Sequence, residues 1–371
     1  MKLIKYKLGD LIRQRRQKND SNDLPICGVT RDGFIPPKQQ DADTSLYNVF
    51  YLKDFVFNPA RMELNAIVFN DRYEKAICSS LYEVFYVHRP EVILPEYLAL
   101  LVKQDWFTRY CEFMGSGSAR EYCRVANISE LEIEVPPIEF QAEMARDNQI
   151  IRDRIELKRR INDNLEVQLS GFYHHFFDNP ENGVSGLIAD LGEVVGGATP
   201  STNNPAYFCD DGIAWISPKD LTGTGLKFIF RGEQCITESA YNSCSTKLMP
   251  AGTVLFTSRA PVGTVAIAMN DICTNQGFKS VIPKKEIGTA FVYYFLKENK
   301  QLIESHASGT TFMEVSGNVL KNIPAIVPKP EVAAQFTAIC TPLFNEQRQN
   351  ELEIGRLQEL QQTLVSSISS R

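Results

Sequence analysis

The stretch SGSAREYCRVANISELEIEVPP, residues 116–137, returns in a worn copy as SGTTFMEVSGNVLKNIPAIVPK, residues 308–329, displaced by 192 residues. In register, Ile128 meets Leu320, Leu131 meets Ile323, and the Val-Pro pair at 135–136 meets the Val-Pro pair at 327–328. A repeat this long means one structural unit used twice. It requires each half of the chain to close a core of its own, and 371 residues leave room for two or three domains of about 150 residues each. A second echo, LGDLI at Leu8–Ile12 against LGEVV at Leu191–Val195, extends the frame toward the start of each half.

Within each half the pattern is mixed. NVFYLKDFVF, NAIVF and KAICSSLYEVFYVH in the first half, and GTVLFTS, GTVAIAM and FKSVIP in the second, are alternating or apolar runs of strand length. LPEYLALLVKQDWFTRYCEFM and TAFVYYFLKENKQLIESHA occupy matching places and have the spacing of amphipathic helices. After each copy of the repeat comes a much longer helical segment. The first spans 138–177 and is stopped by Asp178-Asn179-Pro180; its apolar positions include Ile151, Ile155, Ile161, Leu165, Leu169 and Phe172. The second spans 331–371, with Ile354, Leu357, Leu360, Leu364 and Ile368 in step and Pro342 placed to kink or restart it.

A 40-residue helix is about 60 Å long, more than one small domain can cover, so the two long helices are expected to pair. The second globular domain begins where the first helix ends and finishes where the second helix starts. A domain of that size has a radius of gyration of about 14–15 Å, so those two points must be close and the pair antiparallel. The fold class expected is therefore α/β (α+β): two similar globular domains separated by two long antiparallel coiled-coil helices, a dumbbell with pseudo-two-fold symmetry. Its segments are 1–137 and 178–330 for the globular domains, and 138–177 and 331–371 for the helices.

Composition narrows the function classes. The formal net charge is −6, spread as −1 over 1–137, −1 over 138–177, −2 over 178–330 and −2 over 331–371. With no basic block, the chain is not expected to grip nucleic acid unaided, because phosphate contacts dominate such affinity. Nine scattered cysteines without a C-x-x-C, no signal-like start and no apolar run of 18 residues point to a cytoplasmic protein with reduced thiols and no membrane span. The four histidines lie away from cysteine pairs, and no metal site is expected.

The order globular domain, long helix, globular domain, long helix resembles the specificity subunit of type I restriction–modification systems. The phrases GGATPSTNNPAYFCDDGIAWISPKDL, MPAGTVLFTSRAPVGTVAIA, CTNQGFKSVIP and SGTTFMEVSGNVLKNIPAIVP are similar to that family's target-recognition domain. FNPARMELNAIVFN, ICSSLYEVFYV and SGSAREYCRVANISELEIEVPPIEFQAE look like another variety of it in the first half. The resemblance implies that each head reads one part of a split double-stranded DNA target. The helices would act as ruler and docking site for modification (methyltransferase) subunits, with restriction (ATP-dependent translocase and endonuclease) subunits completing the complex. It further implies no catalysis and no cofactor in this chain, S-adenosylmethionine and ATP belonging to the partners.

Candidate DNA-contacting residues follow from the motifs. In VLFTSRAPVG, Ser258 and Arg259 end a strand before a turn, and in VFNPAR, Asn58 and Arg61 do the same. An arginine fork can take guanine O6 and N7 together, although it can equally contact phosphate or lie free on a loop. In TNQG the amides of Asn275 and Gln276 can read adenine or simply close a turn. Lys219 in SPKDL suits a phosphate, with Asp220 as a local structural acceptor. Ser116, Ser118 and Arg120, and in the other half Thr310 and Thr311, place small donors before a helix-like segment, where they can hold phosphate or cap a turn. On the helices, Ile151, Arg154, Lys158, Ile161, Leu165, Ile354, Leu357 and Leu364 are the candidates for partner contact.

Asn204-Pro-Ala-Tyr207 falls short of an amino-methyltransferase loop, since Ala206 replaces the second proline and no glycine-rich cofactor loop lies nearby. No G-x-x-x-x-G-K-[ST] loop is present. The alternative class is a non-catalytic protein–protein scaffold with two partner-binding heads, which the acidic balance favours; the polar strand-end loops favour DNA.

Overall fold

The structure is a computed structural model, and it describes residues 2–37, 43–115, 122–223, 225–309 and 313–369. The chain divides into two compact units, Met1–Ile155 with Arg356–Arg371, and Glu156–Gly355. Each unit is one head together with one end of each long helix.

In the first unit, strands Ile12–Arg15, Glu83–Val87, Phe55–Phe57 and Ile67–Phe69 form an antiparallel sheet in that order. A second four-stranded sheet runs Gly33–Ile35, Ile26–Thr30, Lys75–Cys78, Asn48–Tyr51. A separate pair, Ile4–Lys7 against Glu132–Val135, joins the start of the head to its end. Leu8, Leu11, Phe55, Phe57, Phe85 and Phe107 are among the buried side chains of the main core, against which Phe140 and Met144 of the first long helix and Val365 and Ile368 of the second also pack.

The second unit repeats this plan. Strands Gly192–Gly196, Lys279–Pro283, Val254–Phe256, Val265–Ala268 and Phe228–Ile229 make a five-stranded sheet, and Gly183–Leu187 pairs with Pro324–Pro328. Its core includes Leu169, Tyr173 and Phe177 from the first long helix and Phe336 and Cys340 from the second. Residues 192 apart fall in equivalent elements: the short helices Val125–Ser129 and Gly317–Lys321, and the strands starting at Glu132 and Pro324. The N-terminal echo is out by one helical step. Val135 pairs with Ile4 and its equivalent Val327 pairs with Val184, which aligns Leu8 with Ile188 and Leu11 with Leu191, all four fully buried. Apolar residues three apart leave the letters matching in two registers, and the strand pairing selects the other one.

The long helices are Ile138–Phe177 and Pro330–Ser369. In the second unit they run antiparallel. Lys158 reaches Asn350 and Glu353, Asn162 bonds to Gln347 and Asn350, and Glu166 bonds to Gln347. Their contact includes a buried polar layer, Gln347 and Asn350 being 2% and 0% exposed. Pro342 does not restart its helix, which continues unbroken. Phe336 and Cys340 before the proline, and Leu343 and Phe344 after it, all pack on the same core, so burial holds the axis across the missing hydrogen bond. Each shorter helical segment is instead broken in two, into Pro95–Leu101 and Asp105–Gly115, and into Thr289–Glu298 and Lys300–Ser305.

Candidate nucleic-acid interface

In the second head, five stretches far apart in sequence meet on one face. Thr257, fully buried, ends its strand and pins the next turn. Its hydroxyl donates to the Pro261 carbonyl at 2.7 Å and accepts from the Thr264 N–H at 2.8 Å. Within that turn Ala260 holds φ 53° and Gly263 φ 89°, and an alanine in the left-handed region persists only where its surroundings fix it. The Ser258 N–H donates to the Gly277 carbonyl at 2.8 Å, and the Val315 N–H donates to the Ser258 carbonyl at 3.0 Å. The Ala198 N–H donates to the Thr274 carbonyl at 3.0 Å, and the Asn275 N–H to the Ile216 carbonyl at 2.9 Å. A Cβ on Gly197 would stand 2.2 Å from two carbonyl oxygens of the TNQG turn, so only glycine lets GGATPS lie against it.

This places Arg259, Gln276 and Lys279 together. Glu314 lies 3.7 Å from the Arg259 guanidinium and 3.5 Å from the Lys279 ammonium, so two cations share one carboxylate. Gln276 is exposed and bonds to the Thr199 hydroxyl. Asn275 uses its side-chain oxygen to accept from the Gly277 N–H at 2.8 Å, which closes the turn. Ser258 does not present its side chain: it is fully buried, and its hydroxyl has no partner among the described residues. Its part is played by the backbone. Lys219 is exposed, and the hydrogen bond and charge of Glu233, 2.9 Å away, hold its ammonium above the usual range. Asp220 accepts from Ser217 and from the Glu233 N–H, a structural acceptor. Thr310 and Thr311 lie outside the described residues.

The first head builds the same brace. Asn58 caps the turn Pro59–Leu64 by accepting from the Ala60 N–H at 3.1 Å, and Arg61 in that turn is exposed. The Cys123 N–H donates to the Pro59 carbonyl at 3.1 Å. Arg124 is held by Glu83 at 3.0 Å, while the other Glu83 oxygen takes the Val125 N–H at 2.6 Å. Ser116, Ser118 and Arg120 lie outside the described residues.

Lys279, Glu314 and Thr199 were not legible as members of the face, since only the meeting of loops makes them so. The NPAY stretch is a capped turn, Asn204 accepting from the Ala206 N–H. On the long helices, Ile151 and Ile354 are buried at 8% and 7%, so they stabilise this chain rather than facing outward. Ile161, Leu165, Leu357 and Leu364 are half-buried, Arg154 is exposed, and Lys158 is turned to Asn350 and Glu353. The exposed apolar residues are others: Ile150 at 58%, Leu157 at 54%, Val167 at 73% and Leu360 at 54%.

The family model described as type I restriction modification DNA specificity domain matches twice, over residues 5–167 and 180–362. The chain belongs to that family. Each specificity-domain match takes in one head and most of the long helix that follows it, the same unit as the repeat. A type I restriction enzyme MjaIX specificity subunit from Methanocaldococcus jannaschii is 41% identical over 171 residues, 44% of this chain and 39% of that protein. A type I restriction enzyme HindI specificity subunit from Haemophilus influenzae is 26% identical over 202 residues, 54% of this chain and 43% of that protein. The chain thus spans about two fifths of the length of these relatives. A crystal structure of a type I restriction–modification system S subunit from M. genitalium shares the fold, with a TM-score of 0.61 over 98% of this chain and 95% of that one at 13% identity. Among the described residues, no helix is long and apolar enough to cross a membrane.

Proposed function

We propose that this specificity-domain protein is the DNA-reading subunit of a type I restriction–modification complex. Each head reads one half of a split double-stranded target. The long helices set the gap and dock the modification subunits. The chain works in the cytoplasm without catalysing a reaction; S-adenosylmethionine and ATP are used by the modification and restriction subunits. The observation that carries this reading is the brace made in both heads: the second half of the repeat bonds to the backbone of an arginine-bearing turn, Pro59 in one head and Ser258 in the other. Such a turn offers a planar donor fork to base edges or phosphates.

The acidic balance fits a reader that borrows affinity from its partners, because released counterions supply most of the binding energy. The test is to assemble the chain with its modification subunits, compete random duplexes for it, and map methylated bases in a genome carrying the system. A split target with a constant gap is expected. Methylation that does not depend on this chain, or a single uninterrupted site, would overturn the reading.

A further inference from the structure

In the second unit, one ammonium group is taken out of water at the meeting point of the head and both long helices. Lys227 lies just before strand Phe228–Ile229, and its side chain is 7% exposed. Its Nζ donates to Glu166 Oε2 on the first long helix at 2.8 Å and to Gln347 Oε1 on the second at 2.9 Å. It also donates to Tyr294 Oη on helix Thr289–Glu298 at 3.0 Å. All three ammonium protons are thereby used. The rings of Phe344 and Tyr293 close over the charge at 4.0 and 4.5 Å. The main chain is held at the same spot, where the N–H groups of Lys227 and Phe228 both donate to the Glu351 carboxylate, at 3.1 and 3.0 Å.

Burial pulls the Lys227 ammonium down to about 8 against the opposing pull of Glu166. For Glu166, burial pushes the carboxyl up, but Lys227 and Lys297 together outweigh it and hold it at about 2. The pair stays ionised at neutral pH, and it is a poor way to gain stability, since an apolar residue of similar shape commonly does as well. What three directed hydrogen bonds supply is a single orientation, where an apolar contact would let the head slide or tilt.

We propose that Lys227 is a positioning residue that fixes the angle of the second head on the helix pair and so narrows the range of gaps at which that head finds its half-target. This rests on the DNA-reading function above. The first unit lacks the two tyrosines at the matching place. Its helix Pro95–Leu101 carries Ala99 and Leu100 where PEYLALLVK aligned with TAFVYYFLK brings Tyr293 and Tyr294, and a cleft of about 1070 Å³ opens there between the head and both long helices.

The test uses the full chain assembled with its modification subunits and a set of duplexes carrying the wild-type half-targets at gaps from three base pairs shorter to three longer. Lys227→Met leaves Glu166 paired with Lys297. It is expected to lower the melting temperature, since Lys227 is the main partner of Glu166, yet to keep both half-targets while lowering the preference for the native gap over its one-base-pair neighbours at least ten-fold. Glu351→Gln, which weakens only the main-chain hold, should lower that preference in the same direction, and decides the matter should the first variant not fold. Ile188→Val, which loosens the same core beside the strand Gly183–Leu187, should leave the preference intact. A native-gap preference within two-fold of wild type in both pin variants, or an equal loss in Ile188→Val, would overturn the inference. A wild-type complex that methylates no split site would instead overturn the functional reading on which it stands.

Discussion

Cys123 and Val315, 192 residues apart, make the same backbone hydrogen bond in their separate heads, the first to Pro59 at 3.1 Å and the second to Ser258 at 3.0 Å. Neither side chain takes part, which explains how cysteine and valine can occupy equivalent places. The bond ties each copy of the repeat to a turn bearing an exposed or half-exposed arginine.

Arg259 is the first residue to test. Among the described residues its ionic partner is Glu314, 3.7 Å away and shared with Lys279, so Arg259→Ala leaves that carboxylate compensated and the fold intact. Binding of DNA by the assembled complex is expected to weaken by about 1–3 kcal/mol if the fork reads a base, with relaxed preference in one half-target only. Competition binding against single-base variants of the target checks this, and affinity within two-fold of wild type would remove Arg259 from the interface.

Exchanging residues 181–330 for the second head of another family member should change one half of the methylated target. The two ends of that segment lie side by side, Gly183 paired with Pro328 and Leu187 with Pro324, so the module opens and closes at one strand pair. The incoming head needs a lysine where Lys227 stands, because Glu166, Gln347 and Glu351 remain behind to meet it. Methylation mapping decides the outcome; a change in both halves would contradict separate readers.

Partner docking on the helices should depend on their exposed apolar residues. Leu157→Asp with Val167→Asp, at positions 54% and 73% exposed, should abolish co-purification with the modification subunits and move the melting temperature by no more than about 2 °C. Ile151→Asp or Ile354→Asp should instead unfold the unit to which each belongs, since both side chains are buried. Unchanged co-purification of the double variant would place the docking surface elsewhere.

Acid should weaken the second unit through Glu166. Its folded pKa of about 2 lies below the ordinary 4.5, so its contribution is present above about pH 4.5 and is lost as the pH falls toward 2. The full shift is worth at most about 3 kcal/mol. Glu351, raised by burial, works in the opposite direction and reduces the net effect. Denaturant unfolding of wild type and Glu166→Gln between pH 2.5 and 6 isolates the Glu166 part. The two stability curves should converge as the pH falls, and curves that stay parallel would refute the assignment.

Much of the fold was legible because its signals are local. The repeat placed the equivalent short helices and closing strands, and the three-and-four spacing of apolar residues placed the long helices. The sequence misplaced what depends on competition between similar local patterns. The LGD echo lies one step out of register because Leu8 and Leu11 offer the same spacing as Ile188 and Leu191. Pro342 reads as a kink or restart because the penalty is local, while the burial of Phe336, Cys340, Leu343 and Phe344 that carries the helix across it comes from a distant head.

The sequence by itself determined that one unit is used twice, that long helices follow each copy, and that arginines and amides end strands in both heads. Only the tertiary structure decided which of them share a face. Ser258 turned inward and Asn275 became a turn acceptor, while Lys279 and Glu314 joined Arg259. Nor could the sequence show that Lys227, one lysine among many, is enclosed by groups 61, 67 and 120 residues away. Periodicity and turn chemistry are written in neighbouring residues, whereas burial of a charge depends on which distant acceptors the folded chain brings within about 3 Å of it.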